Sequence, residues 1–237
     1  MSFPVKTDRF GLADGTRLFV KSLNPNRTNS TVEATNEDDD VVACEVLTPR
    51  ESPSVEYRLK KDLTDTYAKD IVLGGVTTVT VGQTTKYYCL TSVSLGTSAG
   101  GEPTVAATGE EVPDATPNGT YTLEDALNIL AKAKAQILAG AFSVSGTKCH
   151  VGSCSSGFSV KFVPTEVGGE LISWDCTGGR IVVTAQVTQA GSDAPTLTAA
   201  EGWTTTAVPA DNYPDAQYTT WNVTFTKFLT RDSEEAE

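Results

Sequence analysis

The chain has 237 residues, of which 39% are hydrophobic and 20% are charged, so it can bury a sizeable core and is too apolar for wholesale disorder. Its formal net charge of −12 disfavours specific binding to nucleic acid or to anionic lipid, because like charges repel. No apolar run approaches the roughly 18 residues of a membrane span, and the first residues, MSFPVK, lack the apolar core of a signal peptide. We therefore expect a soluble protein that is made in the cytosol and has no membrane partner.

The first part of the chain alternates between polar and apolar segments. Residues 1–15 are predicted to form an N-terminal arm that leads into a single β-rich domain over residues 16–230. Residues 24–40 are polar, rich in turn formers and acidic at their end, which predicts an exposed, mobile loop. Residues 41–47 then predict a mostly buried strand. At the other end of the chain, residues 231–237 form an acidic tail.

Alternation of apolar and polar side chains, with a period of two, predicts the main strands. In residues 54–61 the apolar side chains of Val55, Tyr57 and Leu59 share one face. Near the C-terminus, residues 218–230 place one apolar set together, namely Trp221, Val223, Phe225 and Leu229. Further strands are predicted at residues 71–73, 76–81, 158–163, 170–176 and 180–188, with a tight hairpin at Gly178-Gly179 between the last two.

A short pattern occurs twice, once on each side of the only predicted helix. In the first copy, an alternating strand at residues 87–95 is followed by a glycine-containing loop and a Pro-Thr start at residues 103–107. In the second copy, residues 181–188 and 195–199 follow the same plan. This pseudo-repeat predicts a repeated strand pair, which is typical of a scaffold. Residues 102–119, rich in Gly, Pro, Thr and acidic residues, predict a loop or an edge hairpin.

Residues 123–139 predict one amphipathic helix that packs on the sheet. Thr122 is a suitable N-cap and Asp125 occupies the third helical position, as in a capping box. Gly140 would end the helix. The apolar stripe consists of Leu123, Ala126, Leu127, Leu130, Ala133 and Ile137. The sequence therefore predicts a mainly β fold, a sandwich or barrel with one packed α-helix.

The residues most suited to zinc lie in one region of the sequence. His150, the only histidine, lies next to Cys149 and close to Cys154, and Cys176 follows further on. The paired short spacings of known zinc sites are absent, and adjacent Cys-His ligands are geometrically awkward. Residues 152–157 do not match the G-x-S-x-G pattern of a nucleophilic serine and precede a strand rather than a helix. We interpret all of these as packing or turn residues.

Other candidate sites fail for reasons of spacing. Asp38-Asp39-Asp40 lacks the spaced acidic residues and distal glutamate of an EF-hand, so a solvated acidic loop is the favoured interpretation. The Gly-Gly doublets precede strands and not helices, so none predicts a phosphate-binding loop. The sequence thus predicts no catalytic residue, no cofactor-binding residue and no metal ligand, and the protein is not expected to be an enzyme.

Over residues 16–230 the chain resembles bacteriophage tail-tube proteins and related virion structural proteins. The resemblance is one of architecture and composition: an acidic β-rich domain, one packed helix, a long loop between early strands, and arms at the ends. The closing strand at residues 221–228, WNVTFTKF, and the loops with a Pro-Thr start have the same character. The resemblance implies a virion subunit, assembled in the host cytoplasm, that forms stacked hexameric rings. Such rings form an acidic conduit through which DNA passes as non-specific cargo.

Two other classes of protein remain open at this point. One is a different virion part: a capsid decoration, neck or tail-terminator protein. The other is a surface adhesin or carbohydrate-binding β-sandwich, which would present exposed aromatic side chains around a groove. Trp174, Trp203 and Trp221 are the candidates for that role, although Trp174 and Trp221 lie in strand patterns typical of a core.

Overall fold

The computed structural model describes residues 8–29, 31–47, 49–59, 70–97, 104–124, 142–146, 148–210 and 217–232. These residues form β-strands and connecting turns, and no helix occurs among them. In chain order the strands are β1 (Leu18–Asn24), β2 (Arg27–Thr28), β3 (Thr31–Thr35), β4 (Val41–Val46), β5 (Arg50–Glu51), β6 (Ser54–Leu59), β7 (Ile71–Leu73), β8 (Val76–Val81), β9 (Thr84–Thr97), β10 (Thr104–Val112), β11 (Tyr121–Leu123), β12 (Phe142–Ser145), β13 (His150–Val167), β14 (Glu170–Ala190), β15 (Thr196–Ala199), β16 (Trp203–Pro209) and β17 (Tyr218–Phe228).

One nine-stranded sheet dominates the molecule. Its main path runs β1-β6-β10-β9-β13-β14-β17-β16, and every pair of neighbours is antiparallel. Strand β8 pairs with the first half of β9, beside the stretch where β9 pairs with β13. The prediction of a mainly β fold is confirmed. The sheet does not close into a barrel, and its path ends at β1 and β16.

The long hairpin of β13 and β14 extends beyond the rest of the sheet. It turns at Gly168 and Gly169, whose φ angles of 59° and 81° suit a two-residue turn that glycine adopts without steric cost. The tight hairpin predicted at Gly178-Gly179 is wrong, because both residues lie inside the continuous strand β14. The ladder has a register irregularity there, and a side chain at Gly179 would collide with the ring of Tyr121. The lack of a side chain at Gly179 therefore makes room for the Tyr121 ring and does not form a hairpin turn.

The start of the predicted helix is occupied by a strand. Tyr121–Leu123 is β11 and pairs with β7, with Thr122 opposite Val72, so Thr122 is not an N-cap. Tyr121 and Leu123 are buried while Thr122 is exposed, a period of two that favours a strand over a helical turn. The prediction that the helix begins at Leu123 is therefore wrong. Residues 125–141, with most of the predicted helix 123–139, lie outside the described residues.

The segment predicted as a loop at residues 24–40 contains strands. Arg27–Thr28 pairs with β5, and Thr31–Thr35 forms a two-stranded hairpin with β4. Strand β4 is exposed along its whole length, so the prediction of a buried strand at residues 41–47 is wrong. An isolated two-stranded ribbon has no second layer to cover its apolar side chains. Val41, Val42 and Val46 are accordingly 52%, 64% and 68% exposed.

Two other segments differ from their predicted roles. Residues 102–119 were predicted as a loop or an edge hairpin, but Thr104–Val112 is strand β10, which lies between β6 and β9 in the main sheet. The predicted arm at residues 1–15 is described from residue 8, and there it is packed: Phe10 and Leu12 are buried in the core. Both segments contain apolar residues at alternate positions, and these enter the core.

The sequence pseudo-repeat does not correspond to a structural repeat. In the first copy, β9 and β10 pair directly with each other. In the second copy, β14 pairs with β13 and β17, whereas β15 pairs with β12. The shared pattern therefore reflects common strand and loop chemistry, and the partners of each strand are set by the rest of the chain.

The core forms three clusters that occupy both faces of the main sheet, because the consecutive residues Tyr88, Cys89 and Leu90 of β9 are all buried. The largest contains the predicted set Val55, Tyr57 and Leu59, which the structure confirms as buried. A second cluster surrounds the predicted set Trp221, Val223 and Phe225, which is confirmed as well. The third and smallest consists of Cys89, Val112, Trp174 and Cys176. The face that carries the third cluster is more open around Ser155, which is exposed, and Thr184, which is half-buried.

Candidate functional site

The residues weighed as zinc ligands do not form one group. His150 is exposed at the start of β13, and Cys149 is partly buried beside the second cluster. Cys154 belongs to that second cluster, whereas Cys176 belongs to the third. Within the described part of the chain, no group of His, Cys, Asp or Glu side chains is arranged to hold a metal ion.

The acidic run at residues 38–40 forms the turn of the β3–β4 hairpin. The side-chain oxygen of Asn36 accepts backbone N–H groups from Asp38 and Asp40, each at 2.9 Å. Asp39 has a φ of 63°, a left-handed conformation that Asp tolerates in turns. The acidic residues thus build a tight, solvated turn at the tip of the exposed ribbon.

The most concentrated set of charges surrounds Glu51 on β5. This carboxylate is 2% exposed, yet it accepts a hydrogen bond from Tyr88 at 2.8 Å and one from Arg27 at 3.0 Å. Arg9 forms a further short ion pair with it, and the Lys86 ammonium lies 3.4 Å away. Lys86 also pairs with Glu111 at 2.9 Å. A buried carboxylate is tolerated only when it is matched in this way by cations and donors.

These partners set the protonation state of Glu51. Burial alone raises the pKa of a carboxyl, and here it is the largest single influence. The hydrogen bonds from Arg9, Tyr88 and Arg27 together outweigh it and lower the pKa from 4.5 to about 2. Burial and the bond to Glu51 raise the pKa of Tyr88 above its usual value. At neutral pH the cluster therefore holds an ionised Glu51 and a neutral Tyr88.

The cluster fastens the N-terminal segment to the sheet. The Arg9 guanidinium lies 4.6 Å from the centre of the Tyr88 ring, in a cation–π contact. Asp8 accepts a hydrogen bond of 2.5 Å from the Tyr57 hydroxyl and one of 2.6 Å from the backbone of Ala13. Phe10 is inserted between these anchors into the core. The arrangement is that of a structural lock, with each charge occupied by a partner.

A groove of about 640 Å³ lies next to this lock, between β5, the end of β10 and the tip of the β13–β14 hairpin. Arg50 crosses it: its guanidinium pairs with Glu110 at 3.2 Å and with Glu166 at 3.0 Å. The same guanidinium lies 5.2 Å from the centre of the Phe162 ring. The groove therefore contains an ion-paired bridge that ties the hairpin to the body of the sheet. No feature of the sequence identified this bridge, because Arg50 and Glu166 are 116 positions apart.

The two edges of the main sheet are the other candidate site. Each edge strand, β1 and β16, has seven residues. Strand β16, with the sequence WTTTAVP, carries no charged side chain, and the one lysine of β1, Lys21, is paired with Glu56 at 2.8 Å. Sheet edges are commonly protected by unpaired lysines or by bulges that face outward. Strand β1 has a bulge at Lys21 and β16 ends at Pro209, which are protective features of this kind. Neither strand has a second partner among the described residues, so the rest of each edge offers backbone groups for further pairing.

One face of the main sheet carries a row of small residues over six of the eight strands of its main path. The register aligns them from β10 to β16 in the order Thr104, Gly96, Ser155, Thr184, Thr224 and Thr206, and the row continues on β6 and β1 with Arg58 and Phe19. Ser155 and Thr184 share a hydrogen bond of 2.6 Å between their hydroxyls. The aromatic residues weighed for carbohydrate binding do not line this face, since Trp174 and Trp221 are only 4% and 8% exposed and Trp203 packs against the core.

A scan against protein-family models finds no match to the chain, and comparison with the curated proteins finds no significant match either. Among the residues that the structure describes, no helix has the length and apolar character that crossing a bilayer requires. The functional interpretation therefore depends on the edges, the charged lock and the row of small residues themselves.

Proposed function

We propose that this chain is a virion structural protein, a subunit of the phage tail-tube type that assembles with copies of itself through the edges of its main sheet. The observation that carries the proposal is the open sheet, whose main path ends in two strands of equal length, β1 and β16, that have no second partner among the described residues. Such edges attract further strands. In a ring of copies, β1 and β16 of every chain would be covered by a neighbour.

Strand direction favours contact between β1 of one copy and β16 of the next. The main path contains eight strands and every neighbouring pair is antiparallel, so β1 and β16 of one chain run in opposite directions. When copies are placed side by side in the same orientation, the two edges that meet are antiparallel as well. The sheet can therefore continue from copy to copy without a change in its hydrogen-bonding pattern.

Charge supports a role in which DNA passes without being held. The formal net charge of −12 leaves little cationic surface to trap phosphates. The strongest cations of the described part, those around Glu51 and Arg50, are already paired with carboxylates. Hexameric stacked rings, with DNA as passing cargo and other virion proteins as neighbours, are the assembly that we propose. A capsid decoration, neck or tail-terminator protein would use the same edges, whereas the buried tryptophans disfavour a carbohydrate-binding protein.

A proline in β16 tests the role of this edge. The Ala210 N–H donates to Thr220 of β17, so in an alternating antiparallel ladder the even-numbered residues face β17 and the N–H of Thr205 faces the free edge. Thr205→Pro removes that outward donor and leaves the bonds to β17 in place. We expect the variant to remain folded by circular dichroism but to lose its assemblies in light scattering and electron microscopy.

Thr205→Val is the matched control, because it keeps the N–H and the preference for a strand. It should assemble like the original chain. If Thr205→Pro assembles as well as Thr205→Val, this edge is not an interface and the proposed mode of assembly is wrong.

A further inference from the structure

Two thiols that the proposed assembly does not use lie side by side in the core. Cys89 on β9 and Cys176 on β14 are both 0% exposed, and their sulfur atoms are 3.7 Å apart. A disulfide bond has an S–S length of about 2.05 Å, so the sulfurs need to approach each other by less than about 2 Å. We infer that Cys89 and Cys176 are a site of two-electron oxidation, at which a peroxide converts the two thiols into an intramolecular disulfide.

The pair joins parts of the sheet that no backbone ladder connects. At Cys89, strand β9 is flanked by Val76 of β8 and Glu110 of β10. At Cys176, strand β14 is paired with Phe162 of β13. The two cysteines meet only through their side chains, in the cluster that also contains Val112 and Trp174. A disulfide there would fasten the base of the long β13–β14 hairpin covalently to β9.

The chemistry requires one peroxide for each cross-link. One thiolate attacks an oxygen of hydrogen peroxide, the O–O bond breaks, and a sulfenic acid and one water are formed. The second thiolate attacks the sulfenic sulfur, the S–O bond breaks, and a second water leaves as the S–S bond forms. The two sulfurs are oxidised together by two electrons, the peroxide is reduced, and the two thiol protons end in the two waters.

The environment predicts a slow but selective reaction. The hydrogen bond with Cys176 and burial both raise the pKa of the Cys89 thiol, so little thiolate is present at neutral pH and the reaction accelerates as the pH rises. Selectivity comes from position, because a sulfenic acid formed on either residue lies beside its resolving thiol. Cys44 is exposed on the outer ribbon, where it can cross-link separate molecules. The competing internal pair is Cys149 with Cys154, which lie near the same cluster.

The cross-link should stabilise the fold. Its two residues are 87 positions apart, and closing a loop of that length restricts the unfolded chain. We expect the midpoint of thermal unfolding to rise by about 5–15 °C on oxidation. Because the sulfurs are already close in the reduced form, the native packing should change little.

The experiment uses the full chain with Cys44→Ser, which removes cross-links between molecules. The protein is treated with hydrogen peroxide at pH 7 and pH 9, blocked with a maleimide under denaturing conditions, and analysed by intact mass and peptide mapping. The intact mass before blocking should fall by about 2 Da, and one cross-linked peptide pair that contains Cys89 and Cys176 should form, faster at pH 9. Of the five cysteines of the chain, four remain in this variant, and after oxidation only two of them should still react with the maleimide.

The control variants carry Cys89→Ala or Cys149→Ala in the same background. The rise in the unfolding midpoint should disappear in the Cys89→Ala variant and persist in the Cys149→Ala variant. Full labelling of all thiols after oxidation would overturn the inference, and so would a cross-link between Cys149 and Cys154, or sulfinic acid at Cys89 in place of the disulfide. If either control variant fails to fold, peptide mapping of the chain with Cys44→Ser alone still decides between these results.

Discussion

At the residue scale, Glu51 shows how the chain buries a charge. Its carboxylate is almost inaccessible to solvent and is held by Arg9, Arg27 and Tyr88, which come from distant parts of the sequence. Removing one member of a buried pair is costly because the other charge remains without a partner. The ionised state of Glu51 therefore contributes to the attachment of the N-terminal segment, beside the hydrogen bonds of Asp8 and the burial of Phe10.

Acid should weaken this lock in a defined pH range. The pKa of Glu51 is lowered from 4.5 to about 2 in the folded protein, so its contribution to stability is complete above about pH 4.5 and is lost as the pH falls towards 2. We expect the free energy of unfolding to fall over that range. Urea denaturation measured from pH 6 down to pH 2.5 follows it directly.

Two variants isolate the role of Glu51 in that titration. Glu51→Gln should be less stable at pH 6 and should show a shallower decline with acid, because the residue that titrates is gone. Glu56→Gln removes a more exposed pair with Lys21 and should change the stability by less than about 1 kcal/mol, with the pH dependence intact. Identical acid profiles for the Glu51→Gln variant and the original chain would contradict the role given to this cluster.

At the element scale, the strands with clean alternation were predictable from sequence and the partners of most strands were not. Val55, Tyr57 and Leu59 are buried as their spacing predicts, because one face of β6 packs on the core. The pseudo-repeat predicts a strand that starts at residues 103–107, whereas the glycine and the two glutamates that follow indicate a loop or an edge hairpin and hide the rest of β10. Glu110 and Glu111 lie there because Arg50 and Lys86 pair with them, a long-range cause that no local pattern contains.

The candidate site was even less visible in the sequence. Cys149 and His150, which are adjacent in sequence, are residue types that bind zinc. Among the described residues, however, they are not part of a group of side chains that could hold a metal ion. The contact between Cys89 and Cys176 involves residues 87 positions apart on strands that are not neighbours. Exposure of the β3–β4 ribbon was also unpredictable, since Val41 and Val42 have the composition of a buried strand and only the absence of a covering layer leaves them in solvent.

Packing at Gly179 gives a prediction for strand β14. A methyl group at this position would overlap the ring of Tyr121, so Gly179→Ala should destabilise the fold by about 1–3 kcal/mol, the usual cost of overpacking. Gly152→Ala on the neighbouring strand β13 is the matched control, because its added methyl group meets only the Gln186 carbonyl at an ordinary 3.7 Å. That change should stay within about 0.5 kcal/mol. Equal stability of the two variants in chemical denaturation would show that Tyr121 does not pack on β14 in this way.

At the scale of the whole molecule, the main sheet resembles a segment of a larger surface. Its main path is open at both ends, buried clusters lie on both of its faces, and one face also carries a row of hydroxyl groups. The antiparallel order of its strands allows copies to extend it without interruption. A monomer with such edges is prone to irregular association, whereas a closed ring covers β1 and β16 of every copy and fixes the number of copies.

Negative-stain electron microscopy of the purified chain, combined with light scattering over a rising protein concentration, tests this assembly most directly. We expect closed rings of uniform diameter or tubes of stacked rings, with a molecular mass that is a fixed multiple of the 25.0 kDa chain. The Thr205→Pro variant examined in parallel should give single chains. Particles of one chain at every concentration of the original protein, with no rings or tubes on the grid, would contradict the proposal.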